Sequence, residues 1–504
     1  MTDQMLMLLT FLIPFFGAII ISRLDNHPNV RELVTIATAT SLFVVVLNLY
    51  LNFEGSSIIP WTLAEPAEGL AVTFVINKLG LMFALIASSL WLVTSIYAIG
   101  YMRSHEEQNQ TRFYVMFAIA IAAVMAIAFS DNLFTLFIFY EVLTLSTYPL
   151  VTHKGDEKSK RSGRVYLGIL MGTSIGLFLF GILIVWQLSG SLTFTEGGVL
   201  QGHISSGWIA GLYLLFLFGI GKAAVMPIHR WLPAAMVAPT PVSALLHAVA
   251  VVKAGVFALL KVTLFIFGPE LLQGSFWYQW LIFLPLLTIL LASLVALTRD
   301  NLKERLAYST ISQLSYIVLG IMMVNSIGMF GGALHIAMHA FAKISLFFAA
   351  GAILITAHKT QISQLAGLGR QMPFTFGVFT IGTLSIIGLP PLAGFWSKWY
   401  LIMGGIEFTG AEFIRWSIVS TLLISSLLNI YYLGIIPLKG YFGTSQDTQP
   451  SVGIKEAPLP CLVGLAIPAA LCIYLFFHPE PFYSLAQIGS QGGLEPGSSG
   501  AQNE

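Results

Sequence analysis

Four charged residues, Glu141, Lys222, Lys253 and Lys343, each fall in the middle of an otherwise apolar run. A charge at the centre of a membrane-spanning helix costs roughly 2.5 to 3.5 kcal/mol on insertion scales, so the four together cost on the order of 10 kcal/mol. A penalty of that size calls for a function or a partner, and a Glu buried beside a Lys would offset part of it. The bland reading of a single lysine is snorkelling, which suits Lys78, Lys261 and Arg415 near helix ends. From mid-span the side chain is too short to reach water unless the protein supplies it.

His335, His339 and Lys343 follow one another at i, i+4 and i+8. On a helix they form one stripe, drifting by about 40 degrees per step. Such a stripe is a ladder of exchangeable protons, because imidazole titrates near neutrality and burial moves a lysine toward it. Opening and closing a Glu141/Lys222 pair would change the proton affinity of Lys222, a switch that needs no cofactor. His247 precedes Lys253 by six residues, which places the two on different faces, so water or a neighbouring helix must link them. A lone histidine in an apolar setting is as readily a satisfied core residue. Metal ligation by His335 and His339 fits their spacing, but the sequence offers no second cluster of Cys, Asp or Glu ligands, and Lys343 would repel a cation. No metal is therefore expected. Nor is a cofactor, since no glycine fingerprint or P-loop is present and the chain carries no visible redox or ATP chemistry of its own.

The elements that position these residues must lie in lipid. The 504 residues are 56% hydrophobic and 9% charged, against about 25% charged in soluble domains. A net charge of +1 and the lack of a long basic run give nucleic acid no foothold. Cys461 and Cys472 stand eleven residues apart in one apolar segment, which leaves no Cys-x-x-Cys motif. The run from Met5 to Ile21 is followed by Arg23, the reverse of a signal peptide's charge order, and reads as a retained first span.

Apolar runs of the roughly 20 residues that cross a bilayer begin near Met5, Leu33, Leu79, Phe113, Leu133, Val165 and Trp208, then near Val242, Phe276, Ala307, Met329, Phe374, Trp416 and Leu459. About fourteen helices are predicted, with both termini on one side. Basic residues, from Arg23 and Arg31 through Lys154 to Arg164 and on to Lys439 and Lys455, concentrate in odd-numbered loops. By the positive-inside rule those loops are cytoplasmic and both termini face out. The outer loop from Asn52 to Asn77 carries Glu54, Glu65 and Glu68 instead, and the Gly/Ser/Gln-rich tail from Ile488 to Glu504 reads as a disordered end. Two spans should break: one at Pro390-Pro391 between Gly388 and Gly394, the other at Phe218 to Lys222, before Pro227, Pro233, Pro239 and Pro241. A packing kink is the plain alternative, but each break lies beside a charge, as in internally duplicated transporters.

The residues now carry a resemblance. Gly221-Lys222, Pro227 through Met236, and Ala238 through His247 resemble the signature of antiporter-like subunits shared by Mrp-type sodium/proton antiporters, respiratory complex I and energy-converting hydrogenases. Asn301-Leu302-Lys303, Ala307 through Gln313, His335 to Lys343, and Gly388 through Phe395 match as well, so the resemblance spans about Leu79 to Tyr432. It implies an all-α polytopic membrane protein of fourteen helices with two inverted five-helix repeats and broken helices 7 and 12. The implied organisation is 1–111 for helices 1 to 3, 112–268 for the first repeat, 269–440 for the second, and 441–504 for helix 14 and the tail. By motif, Glu141 resembles the family's helix-five glutamate, Lys222 and Lys253 its helix-seven and helix-eight lysines, and Lys343 its helix-eleven lysine with His335 and His339. Lys398 resembles the residue ending the relay on helix 12.

Lys398 stands where one complex I protein has glutamate, the short tail has no room for the lateral helix of another, and the extra spans of the large Mrp protein are absent. Elimination leaves the D-type component of Mrp antiporters as the nearest likeness. The expectation is a proton-translocating subunit of a multisubunit cation/proton antiporter in a bacterial or archaeal inner membrane. Its partners would be other membrane subunits and the lipid bilayer, its cargo protons, with Na+ as a candidate coupling ion. The alternatives are the pumping arm of a complex I-like or hydrogenase-type redox enzyme and the proton-driven subunit of an inorganic-carbon uptake complex.

Overall fold

The computed structural model describes residues 2–54, 60–67, 69–444 and 453–487. Glu68 and the tail from Ile488 to Glu504 lie outside the described residues. Eleven of the described helices are long and apolar enough to cross a membrane. They are α1 (Asp3–Ser22), α2 (Pro28–Leu51), α3 (Lys78–Ser104), α4 (Gln110–Phe129), α5 (Leu133–Val151), α6 (Glu157–Ser189), α8 (Thr240–Phe267), α9 (Tyr278–Thr298), α11 (Ser326–Ala357), α13 (Glu412–Phe442) and α14 (Leu459–Phe477). Three more complete the fourteen: α7 (Ser206–Gly219), α10 (Leu302–Met322) and α12, split into α12a (Pro373–Ile387) and α12b (Gly394–Ile406). Hydropathy undervalues α10, whose Ser309, Ser312, Gln313 and Ser315 are buried among other helices rather than facing lipid.

Asparagines start several of these helices. The side chains of Asn77, Asn132, Asn301 and Asn325 each accept a hydrogen bond from the backbone N–H three residues on, which satisfies a donor that the first turn leaves free. Between α2 and α3 the chain forms an antiparallel hairpin, β1 (Trp61–Ala67) and β2 (Leu70–Phe74), which the sequence reading did not anticipate.

The loops sort themselves into two groups. Asp131 N–H donates to Thr73 O at 3.0 Å, Asn132 Nδ2 to Ala71 O at 2.8 Å, Phe194 N–H to Asp131 O at 2.9 Å and Val199 N–H to Phe265 O at 3.1 Å. These bonds gather the second, fourth and sixth connections with the end of α8. At the other end Arg112 Nη2 donates to His153 O at 2.8 Å, Lys303 Nζ to Ala238 O at 2.6 Å, and Leu302 N–H to Thr360 O at 2.9 Å. Even connections meet even and odd meet odd, as one crossing per helix requires.

The internal duplication shows in matched details. Asp131-Asn132-Leu133 opens α5, and Asp300-Asn301-Leu302 opens α10, five crossings later and so at the opposite end. In each, the Asn caps its helix and forms an isolated antiparallel bridge to a later loop, Asn132 with Thr193 and Asn301 with Gln361. In each, the Leu N–H and the Asp carbonyl complete that bridge. One local structure built twice with opposite polarity is what inverted repeats require.

Candidate functional site

Both predicted breaks are present. α7 stops at Gly219, Gly221–Ala223 forms a single 3-10 turn, and Ala224 takes a left-handed conformation at φ 56°. Opening a helix at membrane depth frees backbone groups that protein must receive. Trp231 Nε1 donates to Gly221 O at 3.0 Å, and Thr288 Oγ1 accepts from Met226 N–H at 3.2 Å. α12a ends on Gly388 at φ 91°, a conformation glycine adopts without strain. Across that gap Ala393 N–H donates to Cys472 O at 2.8 Å and Gly394 N–H to Ser385 Oγ at 3.3 Å.

The first break presents Lys222, which is 0% exposed. Its ammonium donates to Tyr140 O at 2.8 Å and Thr144 Oγ1 at 2.6 Å, and sits 3.0 Å from the centroid of the Tyr140 ring. Glu141 follows Tyr140 on α5, yet its two carboxylate oxygens are buried without a hydrogen-bond partner and it makes no ion pair with Lys222. The predicted pair is therefore adjacent but open. Closing it means exchanging the carbonyl and hydroxyl for the carboxylate.

Lys253 on α8 is also 0% exposed, and its Nζ lies 2.7 Å from His339 Nδ1 on α11. This bond joins the two halves of the chain. His247 is buried against the Phe347 ring at 4.7 Å with both ring nitrogens unpartnered, so it is not joined to Lys253 here. A π-helical turn, Leu245–Val249, carries it.

The predicted ladder on α11 is present, but its rungs reach to three different helices. His335 Nδ1 lies 2.8 Å from Ser397 Oγ on α12b and its Nε2 lies 3.1 Å from Gln313 Oε1 on α10. His339 turns to Lys253, with 5.8 Å between the His335 and His339 ring centroids. Lys343 donates to Ser309 Oγ on α10 at 2.8 Å, and Tyr432 OH on α13 donates to the same hydroxyl at 3.2 Å. Lys398, only 5% exposed, donates to Ile387 O at 3.2 Å across the second break and to Ser426 Oγ at 3.3 Å. It lies 4.8 Å from the Tyr316 ring, which faces His335 at 5.9 Å.

Sequence reasoning missed the neutral partners. A signal was available for two: Ser309 and Gln313 stand at i and i+4 on α10, and antiparallel packing against α11 brings them to Lys343 and His335. Lys261 corrects an expectation. It does not snorkel; it is 0% exposed, with its ammonium 2.5 Å from Ser130 O. Among the described residues no group of three or more His, Cys, Asp or Glu is placed to hold a metal ion.

A predominantly helical, multi-pass membrane protein with two inverted repeats, two discontinuous helices and a buried lysine at each break is built as the membrane component of an ion-translocating complex. Residues 130–425 match the family described as NADH:quinone oxidoreductase/Mrp antiporter, transmembrane, and the chain belongs to it. It is 33% identical to the N subunit of NADH-quinone oxidoreductase from Desulforudis audaxviator over 403 residues, 77% of this chain and 76% of that protein. It is 25% identical to the D subunit of the Na(+)/H(+) antiporter from Alkalihalophilus pseudofirmus over 489 residues, 96% and 97% of the two chains. Its fold is similar to that of a chain in the Mrp complex from Dietzia sp., with a TM-score of 0.84, 20% identity and 97% of each chain covered.

Proposed function

We propose that this chain translocates protons as the D-type member of a multisubunit cation/proton antiporter. The observation that carries the reading is the Lys253–His339 bond, which connects a lysine of one repeat to a three-residue ladder in the other. In this reading Glu141 and Lys222 load the proton, and Lys253 with His247 passes it on. His335, His339 and Lys343 relay it, and Lys398 exchanges it at the far end. The repeats correspond to 112–268 and 269–440, with 1–111 and 441–504 outside them. The odd connections face the cytoplasm of a bacterial or archaeal cell and both termini face out, because the basic residues lie in the odd loops. A second reading, the pumping arm of a redox complex, is supported by the 33% identity to the oxidoreductase protein of Desulforudis audaxviator. The near end-to-end match to the antiporter protein of Alkalihalophilus pseudofirmus favours the antiporter.

Purification of the native complex separates the two: small hydrophobic Mrp-like companions support the antiporter, and an iron-sulfur or nickel subunit overturns it. Within either complex, Lys222→Ala and Glu141→Gln should abolish proton-coupled transport while leaving assembly intact. Wild-type flux in Lys222→Ala would contradict the assignment, and loss of assembly in Glu141→Gln would mark that carboxylate as merely structural.

A further inference from the structure

Lys261 is held by a neighbourhood that the relay above does not use. It lies eight residues beyond Lys253 on α8, about 12 Å along the axis, with Phe257 between them on the same side of the helix. Its ammonium meets the carbonyls that end α4, Ser130 O at 2.5 Å and Ala128 O at 3.4 Å, and is flanked by the rings of Phe194 and Phe257 at 4.9 and 5.1 Å. The next residue after Ser130 is Asp131, which lines a pocket of about 250 Å³ with Ala71, Thr73, Asn132, Ser191 and Thr193. That pocket lies among the even-numbered connections.

We propose that Asp131 and Lys261 form a proton-exchange station between this pocket and the buried lysines of the first repeat. The inference rests on the relay reading of Lys253. Asp131 meets the pocket, Lys261 faces the protein interior, and Phe257 is the side chain a proton path toward Lys253 must pass. Burial raises the Asp131 carboxyl to about 6, with Lys261 pulling the other way. Asp131 therefore exchanges protons close to physiological pH rather than near 4. Lys261 is the titratable side chain facing it; the β2 side contributes Thr73 and the α6–α7 connection Ser191 and Thr193, none of which titrates in this range.

The competing explanation is a cap, a cation placed against the carbonyls ending a helix. Lys261→Arg distinguishes them, because a guanidinium keeps the charge and the donors but does not release its proton. In right-side-out membrane vesicles carrying the native complex, the station predicts at least a tenfold loss of flux in Lys261→Arg with normal assembly. Asp131→Asn should lose the inflection near pH 6 measured on the side of the even loops, and Asp131→Glu should restore it. Wild-type flux in Lys261→Arg, or an unchanged pH profile in Asp131→Asn, overturns the station. Should arginine not fit and assembly fail, the Asp131 profiles decide alone. Lys222→Ala run alongside separates the two readings: if it is inactive while the Asp131 and Lys261 variants behave as wild type, only the station falls, and if it transports normally the relay falls with it.

Discussion

Gly255 on α8 sits where the helix crosses the first break. A β-carbon there would lie 2.4 Å from Ala223 N, 2.4 Å from the Lys222 carbonyl carbon and 2.8 Å from Lys222 Cβ. Two of these are backbone atoms, and ordinary contact begins about 1 Å further out, so in Gly255→Ala the Gly221–Ala223 turn must retreat from α8 by about that amount. A shift of that size moves the Lys222 backbone relative to its α5 partners, so the ammonium bonds of 2.6 and 2.8 Å keep their lengths only if the side chain follows. Overpacking of this kind costs about 1–3 kcal/mol. Gly211→Ala is the control: it makes the same change on α7, where a β-carbon meets nothing within 4 Å, and alanine there favours the helix by about 0.5–1 kcal/mol. In proteoliposomes of the purified complex, Gly255→Ala should lower both the unfolding temperature and the proton flux, while Gly211→Ala lowers neither. Unaltered flux and stability in Gly255→Ala would refute the claim that α8 clamps Lys222 in place.

Two other outcomes follow from the same geometry. His339→Gln keeps a hydrogen-bonding partner for Lys253 but removes the titrating ring, and should cut flux on the order of 10²-fold with little change in detergent stability; normal flux would exclude His339 from the relay. At the odd-loop end, burial holds the His153 imidazole below its usual range, against the pull of Glu107. Its stabilising contribution is complete above the unfolded value near ~6.5 and is lost as pH falls from there through the lower folded value. Melting curves from pH 7.5 to 5 should therefore decline less steeply in His153→Asn than in the wild type, and parallel curves would reject the assignment.

What could be read from sequence was whatever has a strong local cause. The spans follow from apolar length, and the breaks near Gly221 and Pro390 follow from clustered glycines and prolines, which disfavour or interrupt a helix. The buried charges follow from their improbability in lipid. Tertiary choices stayed hidden. Nothing in the i+4 ladder says that His335 turns to Ser397 while His339 turns to Lys253, because that depends on which helix packs beside each rung. Lys261 lies near a helix end but far from water, because the α6–α7 connection covers that end through Phe194 and Val199, and sequence carries no sign of that cover. The β1–β2 hairpin was missed for a related reason: its outer strand is exposed and its sequence, Trp61 to Ala67, carries no period-two pattern.

The partners of the buried lysines bear directly on how a proton could move. Six ion pairs occur among the described residues, and none involves Lys222, Lys253, Lys261, Lys343 or Lys398. Each of these five meets a carbonyl, a hydroxyl or an imidazole instead. A carboxylate partner would fix the charge on a lysine, since releasing the proton would strand a buried anion. A neutral oxygen imposes no such penalty, and an amine donates to it as an ammonium does. Such neutral anchors would let each side chain keep its position through a change of protonation state. Glu141 is the exception kept in reserve: adjacent to Lys222, unpartnered, and able to lock a positive charge there only when the two close. In the proposed relay, one lockable end would make transfer conditional, and a coupling ion or redox partner would need to act only on that end to govern the rest.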